Sequence, residues 1–171
     1  MKRKIILYTA VSLDGYIAGA DYDLSWLFSN EDYGYDSFLE SVDTLLIGKR
    51  TYQDLLTFGG FPYTNKKNYV FTSDGGFRGN GFVEIINTDP ARFAGQLKKG
   101  EGKDIWLVGG SVLNTSLLNA NLIDEMFLFY HPVILGGGIP LFAPPVNLRW
   151  YKTTDTKTYA DGLIRVRLRR E

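Results

Sequence analysis

The stretch TLLIGKRTY, residues 44–52, decides the fold that we expect for this chain. Its nearly continuous apolar start is typical of a strand that is covered on both faces, as in a parallel sheet flanked by helices. After Gly48 we expect a helix to begin near Arg50 and to stop at Gly59-Gly60. Helix N-termini present unpaired N–H groups and partial positive charge, so they attract phosphates. The stretch therefore predicts a strand that leads into an anion site.

Two further segments repeat this pattern of a buried strand followed by small or hydroxyl residues. They are residues 106–111, WLVGGS, and residues 70–74, VFTSD. Two helix starts in one sheet can hold a pyrophosphate between them. Thr72 and Ser73, together with Lys49 or Arg50, can hold an adenosine 2′-phosphate. The order of the three segments predicts a dinucleotide site that favours NADPH over NADH, although the chain has neither the Rossmann nor the Walker glycine pattern.

The composition narrows the classes of function. Lys+Arg and Asp+Glu both count 19, so the chain lacks the basic surplus of nucleic-acid binders, and we expect no nucleic-acid partner. It has no cysteine and one histidine, which excludes thiolate and multi-histidine metal sites, and we expect no metal. The apolar run Ile5–Val11 is too short for a membrane span and lacks a signal-peptide cleavage site. We therefore expect a cytoplasmic protein without a membrane partner.

Strand and helix patterns alternate along the first two thirds of the chain. The expected strands are Ile5–Tyr8, Thr44–Ile47, Tyr69–Phe71 and Ile105–Val108. Besides the helix near Arg50, helices are expected at Asp36–Val42, from Pro90 behind an Asp89 N-cap, and from Gly110-Ser111 with Val112, Leu113, Leu117 and Leu118 facing the core.

The last third of the chain has a different pattern. Met126–Leu135 is a long strand candidate, and Thr153–Tyr159 and Leu163–Leu168 are joined by Asp161-Gly162. Asp-Gly between alternating runs is a strong hairpin signal. We predict one α/β domain over residues 1–171, with strand–helix units first and antiparallel strands last.

Four motifs give the chain a family resemblance. They are residues 11–18, VSLDGYIA; residues 47–52, IGKRTY; residues 108–111, VGGS; and residues 131–142, HPVILGGGIPLF. Together they resemble the dihydrofolate reductase superfamily, especially the branch that includes the reductase domain of riboflavin biosynthesis, over nearly the whole chain. The resemblance implies a central, mixed, mostly parallel eight-stranded sheet flanked by helices, with a C-terminal antiparallel hairpin. It also implies NADPH across the strand ends, and a homodimer.

The same resemblance implies where each part of the ligands would lie. Nicotinamide would lie near Thr9, Ala10, Ile17 and Ala18. Pyrophosphate and ribose would lie near Gly48, Lys49, Arg50, Thr51, Gly109, Gly110 and Ser111. The adenosine 2′-phosphate would lie at Thr72 and Ser73, and the substrate beside Asp14, Trp26, Asp32 and Tyr130.

Asp32 is the candidate catalytic residue. Folate reductases hold the heterocycle with a carboxylate on the helix after the active-site loop, and Asp32 occupies nearly that position, six residues after Trp26. We hypothesise that it binds or helps to protonate a nitrogen heterocycle. The alternative is that Asp32 only lies at a helix N-terminus, where acidic residues are favoured, and has no catalytic role.

Three functions remain open from the sequence. The first is an NADPH-dependent reductase of a small nitrogen heterocycle or ribosylaminopyrimidine, resembling 5-amino-6-(5-phosphoribosylamino)uracil reductase. The second is an authentic dihydrofolate reductase, against which Ser25-Trp26 in place of Pro-Trp and the Gly136–Gly138 loop argue. The third is a non-catalytic protein that binds NADP(H) or another nucleotide.

Overall fold

The computed structural model describes residues 2–171 and arranges them around one large sheet. The strands are β1 (Ile5–Ser12), β2 (Tyr16–Ala18), β3 (Val42–Gly48), β4 (Lys67–Phe71), β5 (Glu84–Ile86), β6 (Asp104–Gly109), β7 (Glu125–His131), β8 (Ile139–Pro140), β9 (Tyr151–Thr158) and β10 (Ile164–Arg170). The helices are α1 (Tyr35–Ser41), α2 (Lys49–Leu56), α3 (Pro90–Leu97) and α4 (Ser111–Asn119).

The main sheet has eight strands in the order β5-β4-β3-β6-β1-β7-β10-β9. β10 runs antiparallel to β7 and to β9, and the remaining neighbours are parallel. The turn between β9 and β10 contains Asp161-Gly162, where Gly162 takes a φ of +92°. The predicted mixed, mostly parallel sheet with a C-terminal antiparallel hairpin is confirmed.

Alternation along the central strands sends side chains to two cores, one on each face of the sheet. Leu7 and Leu107 pack with α3 and α4 on one face, where Leu117 is fully buried. Ile6 and Trp106 pack with α1 and α2 on the other face. Both faces of the parallel strands are thus apolar and covered, which explains why these strands have continuous apolar sequences.

Two sequence predictions about individual elements are wrong. Val112 does not face the core: its side chain is 76% exposed and borders an open cleft, because it lies on the first turn of α4 at the edge of the sheet. The strand predicted for Met126–Leu135 ends at His131, since Pro132 has no N–H to extend the ladder. By contrast, the predicted Asp89 cap forms, and its side chain accepts a hydrogen bond of 2.6 Å from the Arg92 N–H.

A second, two-stranded sheet joins β2 to β8 above the carboxyl end of β1. Asp14 braces it, because its carboxylate accepts hydrogen bonds from the Leu135 N–H at 3.1 Å and the Gly136 N–H at 2.8 Å. Ser12 Oγ donates to the same carboxylate at 2.6 Å. The loop after β1 and the glycine-rich loop before β8 are therefore held as one unit.

His131 ends β7 in an aromatic environment. Its side chain is buried, and its Nδ1 lies 3.0 Å from the Phe129 carbonyl oxygen. The rings of Trp26 and Phe28 meet it edge-on at centroid distances of 5.1 and 5.0 Å. Burial lowers the pKa of His131, so the neutral imidazole is the form that packs here.

The apolar run at the start of the chain forms β1. Within residues 2–171, no helix is long and apolar enough to cross a lipid bilayer. The single-domain organisation and the homodimer stay predictions.

We expect Gly138→Ala to lower the free energy of unfolding by about 1–3 kcal/mol. A Cβ at Gly138 would lie 2.2 Å from the Ala18 carbonyl oxygen, at a φ of +135° that L side chains rarely adopt. Gly137→Ala is the matched control, because a Cβ there meets nothing within 4 Å. Urea unfolding followed by tryptophan fluorescence compares the two variants, and equal stabilities would contradict the close packing of β8 on β2.

We expect the single histidine of the chain to titrate below its ordinary pKa of about 6.5 in the folded protein. The unfolded chain then takes up its proton at a higher pH than the folded chain does. The free energy of unfolding should therefore be unaffected by His131 above about pH 6.5 and should fall as the pH drops below that value. An NMR pH titration of the histidine ring, with the urea-unfolded chain as reference, measures the shift. A folded midpoint equal to or above the unfolded one would refute the burial of a neutral imidazole.

Candidate functional site

A cleft of about 950 Å³ opens at the carboxyl ends of β1, β3, β4 and β6. Ligands in open α/β sheets bind at this edge, outside the carboxyl ends of the strands. The starts of α2 and α4 form the middle of the cleft, and the β2–β8 sheet forms one wall. The volume of the cleft lies at the upper end of the range of about 300–1,000 Å³ that is typical of ligand pockets.

The starts of α2 and α4 lie against each other in the middle of the cleft. A Cβ on Gly48 would come within 3.3 Å of the Gly109 carbonyl oxygen and the Gly110 nitrogen. A Cβ on Gly110 would come within 3.2 Å of Thr51 Oγ1. Glycine therefore lets the two backbones approach this closely without crowding. The arrangement brings two sets of unpaired helix N–H groups to one place, which suits an anion with two phosphates.

Ser111, the first residue of α4, adds a hydroxyl that requires a partner. Its side chain is buried and lines the cleft, and its Oγ has no hydrogen-bond partner among residues 2–171. An unsatisfied buried hydroxyl costs about 1–3 kcal/mol. A phosphate oxygen would accept its hydrogen bond, so the donor set fits a bound pyrophosphate.

Lys49 and Arg50 point toward different ends of the cleft. Lys49 Nζ lies 2.8 Å from Asp74 Oδ2, just beyond the end of β4. Arg50 Nε lies 3.0 Å from Asp54 Oδ1, and its guanidinium group sits 3.8 Å from the centre of the Tyr22 ring. The hydrogen bond from Lys49 holds the pKa of Asp74 below its usual range. The sequence alone does not distinguish the two cations as partners of a 2′-phosphate, whereas the geometry favours Lys49.

The β4 end of the cleft is polar. Thr72 and Ser73 line it together with Asn87 and Thr88. Thr72 Oγ1 accepts a hydrogen bond of 3.0 Å from the Asp74 N–H, and Asn87 Nδ2 donates one of 2.9 Å to the Thr72 carbonyl oxygen. These bonds fix a set of hydroxyl and amide groups beside Lys49, which suits a phosphorylated ribose.

Of the predicted cofactor-binding residues, all except Gly109 line the cleft. They are Thr9, Ala10, Ile17, Ala18, Gly48, Lys49, Arg50, Thr51, Thr72, Ser73, Gly110 and Ser111. Gly109 is buried behind Gly110, where a Cβ would lie 3.3 Å from Asn114 Oδ1. The structure thus brings the predicted cofactor residues together, and their contact with a cofactor stays a prediction.

None of the residues predicted to bind the substrate is among those that line this cleft. Asp14 braces the loop before β8, Trp26 packs on His131, and Tyr130 packs against the core beneath α3 and α4. Asp32 is exposed and accepts hydrogen bonds from the Gly34 N–H at 2.8 Å and the Asp36 N–H at 2.9 Å, at the start of α1. This geometry favours the alternative role for Asp32 at a helix N-terminus, and its catalytic role stays a prediction.

A second wall of the cleft was not predicted from the sequence. It consists of residues on the loop after β2, on α2 and in the turn after α2: Tyr22, Leu24, Leu27, Asp54, Leu55 and Phe58. The α2 members recur at helical spacing from Thr51, so the sequence contained a signal for them. The loop members follow no periodic pattern, since tertiary contacts such as that of Arg50 with Tyr22 place them.

Comparisons with known proteins find relatives over the whole chain. The family described as RibD C-terminal domain matches residues 62–164. The uncharacterized protein YwjB of Bacillus subtilis (strain 168) is 38% identical over 167 residues, which cover 95% of this chain and 96% of that protein.

Two solved structures have the same fold. A putative riboflavin biosynthesis protein from Shewanella sp. PV-4 superposes with a TM-score of 0.86 and 27% identity, covering 100% of this chain and 99% of that one. Dihydrofolate reductase from Enterococcus faecalis, complexed with NADP(H) and RAB-propyl, superposes with a TM-score of 0.74 and 18% identity, covering 100% and 99%. The family match, the identity to YwjB and these folds confirm the resemblance, and the chain belongs to the RibD C-terminal domain family.

Proposed function

We propose that the protein is an NADPH-dependent reductase that transfers hydride to a small nitrogen heterocycle. The observation that carries the proposal is the contact between the two glycine-initiated helix starts, with the buried Ser111 hydroxyl beside them and Lys49 farther along the cleft. This spacing of anion sites suits a dinucleotide better than a mononucleotide. The Enterococcus faecalis dihydrofolate reductase, which has the same fold, was crystallised with NADP(H), and this supports the choice of cofactor.

In this proposal, each part of the cleft binds one part of the cofactor. The N–H groups at the starts of α2 and α4 bind the pyrophosphate, with Thr51 and Ser111 as hydroxyl donors. Lys49, Thr72 and Ser73 bind the 2′-phosphate. Thr9, Ala10, Ile17 and Ala18 form a mostly apolar wall at the other end, against which one face of the nicotinamide packs.

The reaction itself needs little from the protein besides positioning. Bound NADPH would supply the hydride and become NADP⁺; the hydride would go to the carbon of a C=N bond, and the ring nitrogen would take one proton. The cleft is open to solvent, so water can deliver that proton. The proposal assigns no proton transfer to Asp32, because Asp32 does not line the cleft.

We expect NADPH to bind about tenfold or more tightly than NADH, because one charge-assisted contact is worth roughly that factor. Lys49→Gln should remove most of the difference, since it removes the cation nearest Thr72 and Ser73. Asp74→Asn should do the opposite and strengthen NADPH binding, because Lys49 then loses a competing carboxylate. Fluorescence titrations that use the three tryptophans as reporters measure both cofactors in each variant.

Lys152→Gln is the matched control, because Lys152 is exposed on β9 and does not line the cleft. It should leave both affinities unchanged. Failure of the wild-type protein to bind either cofactor would rule out the proposed reductase. Equal affinities for NADPH and NADH would remove only the assignment of Lys49 to the 2′-phosphate.

A further inference from the structure

The end of the cleft nearest Arg50 suits the binding of the hydride acceptor. Its lining residues differ chemically from those of the β4 end. Leu24 and Leu27 on the loop after β2 line it, as do Leu55 on α2 and Phe58 in the turn after α2. The guanidinium group of Arg50 joins the two walls, since it starts from α2 and stacks on the Tyr22 ring at 3.8 Å. The interpretation below rests on the proposed function, because it takes the rest of the cleft to be filled by the cofactor.

Large apolar groups in these walls remain open to solvent. Phe58 is 69% exposed and Tyr22 is 39% exposed, although both line a concave surface. Exposed aromatic side chains in a cleft are typical of a surface that a ligand covers. A flat ring system between the loop and α2 would bury them and could stack on either.

The charges in the cleft argue against a phosphorylated acceptor. Among residues 2–171 the cations that line the cleft are Lys49 and Arg50, and each is already paired with a carboxylate. Lys49 and the two helix starts would be occupied by the cofactor phosphates. A phosphate on the acceptor carries a charge of about −1.5 to −2. It would lie beside Asp54 with no unpaired cation in the cleft to balance it.

Asp54 offers a neutral acceptor a hydrogen bond instead. Its side chain is 29% exposed, and Arg50 Nε engages only Oδ1. No group among residues 2–171 donates to Oδ2, so this oxygen can accept an N–H from the edge of a ring.

We infer that the acceptor is a planar heteroaromatic compound that bears an N–H on its ring edge and carries no phosphate. It lies between the Tyr22–Leu27 loop and the end of α2 with the turn that follows, where Leu55 and Phe58 line the cleft, and its N–H is donated to Asp54. This excludes the phosphoribosyl-substituted pyrimidines that the family resemblance suggested as substrates. Asp54 and Phe58 are the residues that determine the specificity.

Riboflavin and flavin mononucleotide test the inference, since both carry the same planar ring with a ring N–H and differ by one phosphate. Binding is followed by flavin fluorescence in the presence of saturating NADP⁺, which keeps the flavin phosphate out of the dinucleotide site. We expect riboflavin to bind at least about tenfold more tightly than flavin mononucleotide. Phe58→Ala should weaken both, because it removes the stacking surface.

Asp54→Asn distinguishes a role in specificity from a merely structural one. It removes the carboxylate and leaves Arg50 without its partner, so the preference for riboflavin over flavin mononucleotide should shrink severalfold. Leu56→Ala is the control on the same helix, because Leu56 does not line the cleft, and it should leave the ratio unchanged.

The inference would be overturned if flavin mononucleotide bound as tightly as riboflavin or if neither flavin bound. It would also be overturned if Asp54→Asn left the ratio of the two flavin affinities unchanged. Tryptophan fluorescence reads the binding of NADP⁺ separately. Failure to bind NADP⁺ would therefore contradict the proposed function and remove the basis of this inference, whereas a preference for the phosphorylated flavin with NADP⁺ bound would contradict the inference alone.

Discussion

The close approach of Gly48 to Gly109 and Gly110 is the constraint on which the cleft depends. β3 and β6 are neighbours in the sheet, so α2 and α4 leave it side by side, and their first turns meet without intervening side chains. A Cβ at Gly48 would crowd the Gly109–Gly110 backbone at 3.3 Å, and one at Gly110 would crowd Thr51 Oγ1 at 3.2 Å. The same contact brings Thr51 and Ser111 to one place, and it leaves the Ser111 hydroxyl buried without a partner. Burial of the Ser111 hydroxyl is unfavourable while it has no hydrogen-bond partner. A bound anion that accepts its hydrogen bond makes the burial favourable.

Two carboxylates divide the cleft electrostatically. Asp74 pairs with Lys49 at the β4 end, and Asp54 pairs with Arg50 at the opposite end. Both ion pairs are partly exposed, so each contributes little to the stability of the fold. Their importance lies in the ligand groups for which they select. A ligand phosphate must compete with Asp74 for Lys49, and a ligand near Arg50 meets the negative charge of Asp54. The two ends of one cleft therefore suit different chemical groups, as a reductase with two ligands requires.

The sequence correctly predicted those features of the structure that interactions between adjacent residues determine. The Asp89 cap, the Asp161-Gly162 turn and the strand leading into Gly48 each follow from a few adjacent residues. The errors concern tertiary placement. Val112 has the right spacing for a core residue but lies where the sheet ends, and the directions of Lys49 and Arg50 depend on Asp74 and Tyr22, which are distant in sequence. The loop residues of the second wall were missed for the same reason.

The central claim is that a dinucleotide lies across the starts of α2 and α4 with its 2′-phosphate toward β4. A crystal structure with NADP⁺ tests it most directly. The account predicts the pyrophosphate between the two helix starts, with Ser111 Oγ donating to it, and the 2′-phosphate beside Lys49 Nζ, Thr72 and Ser73. NADP⁺ bound outside the cleft, or bound in the reverse direction with its 2′-phosphate against Arg50 and Tyr22, would contradict the account.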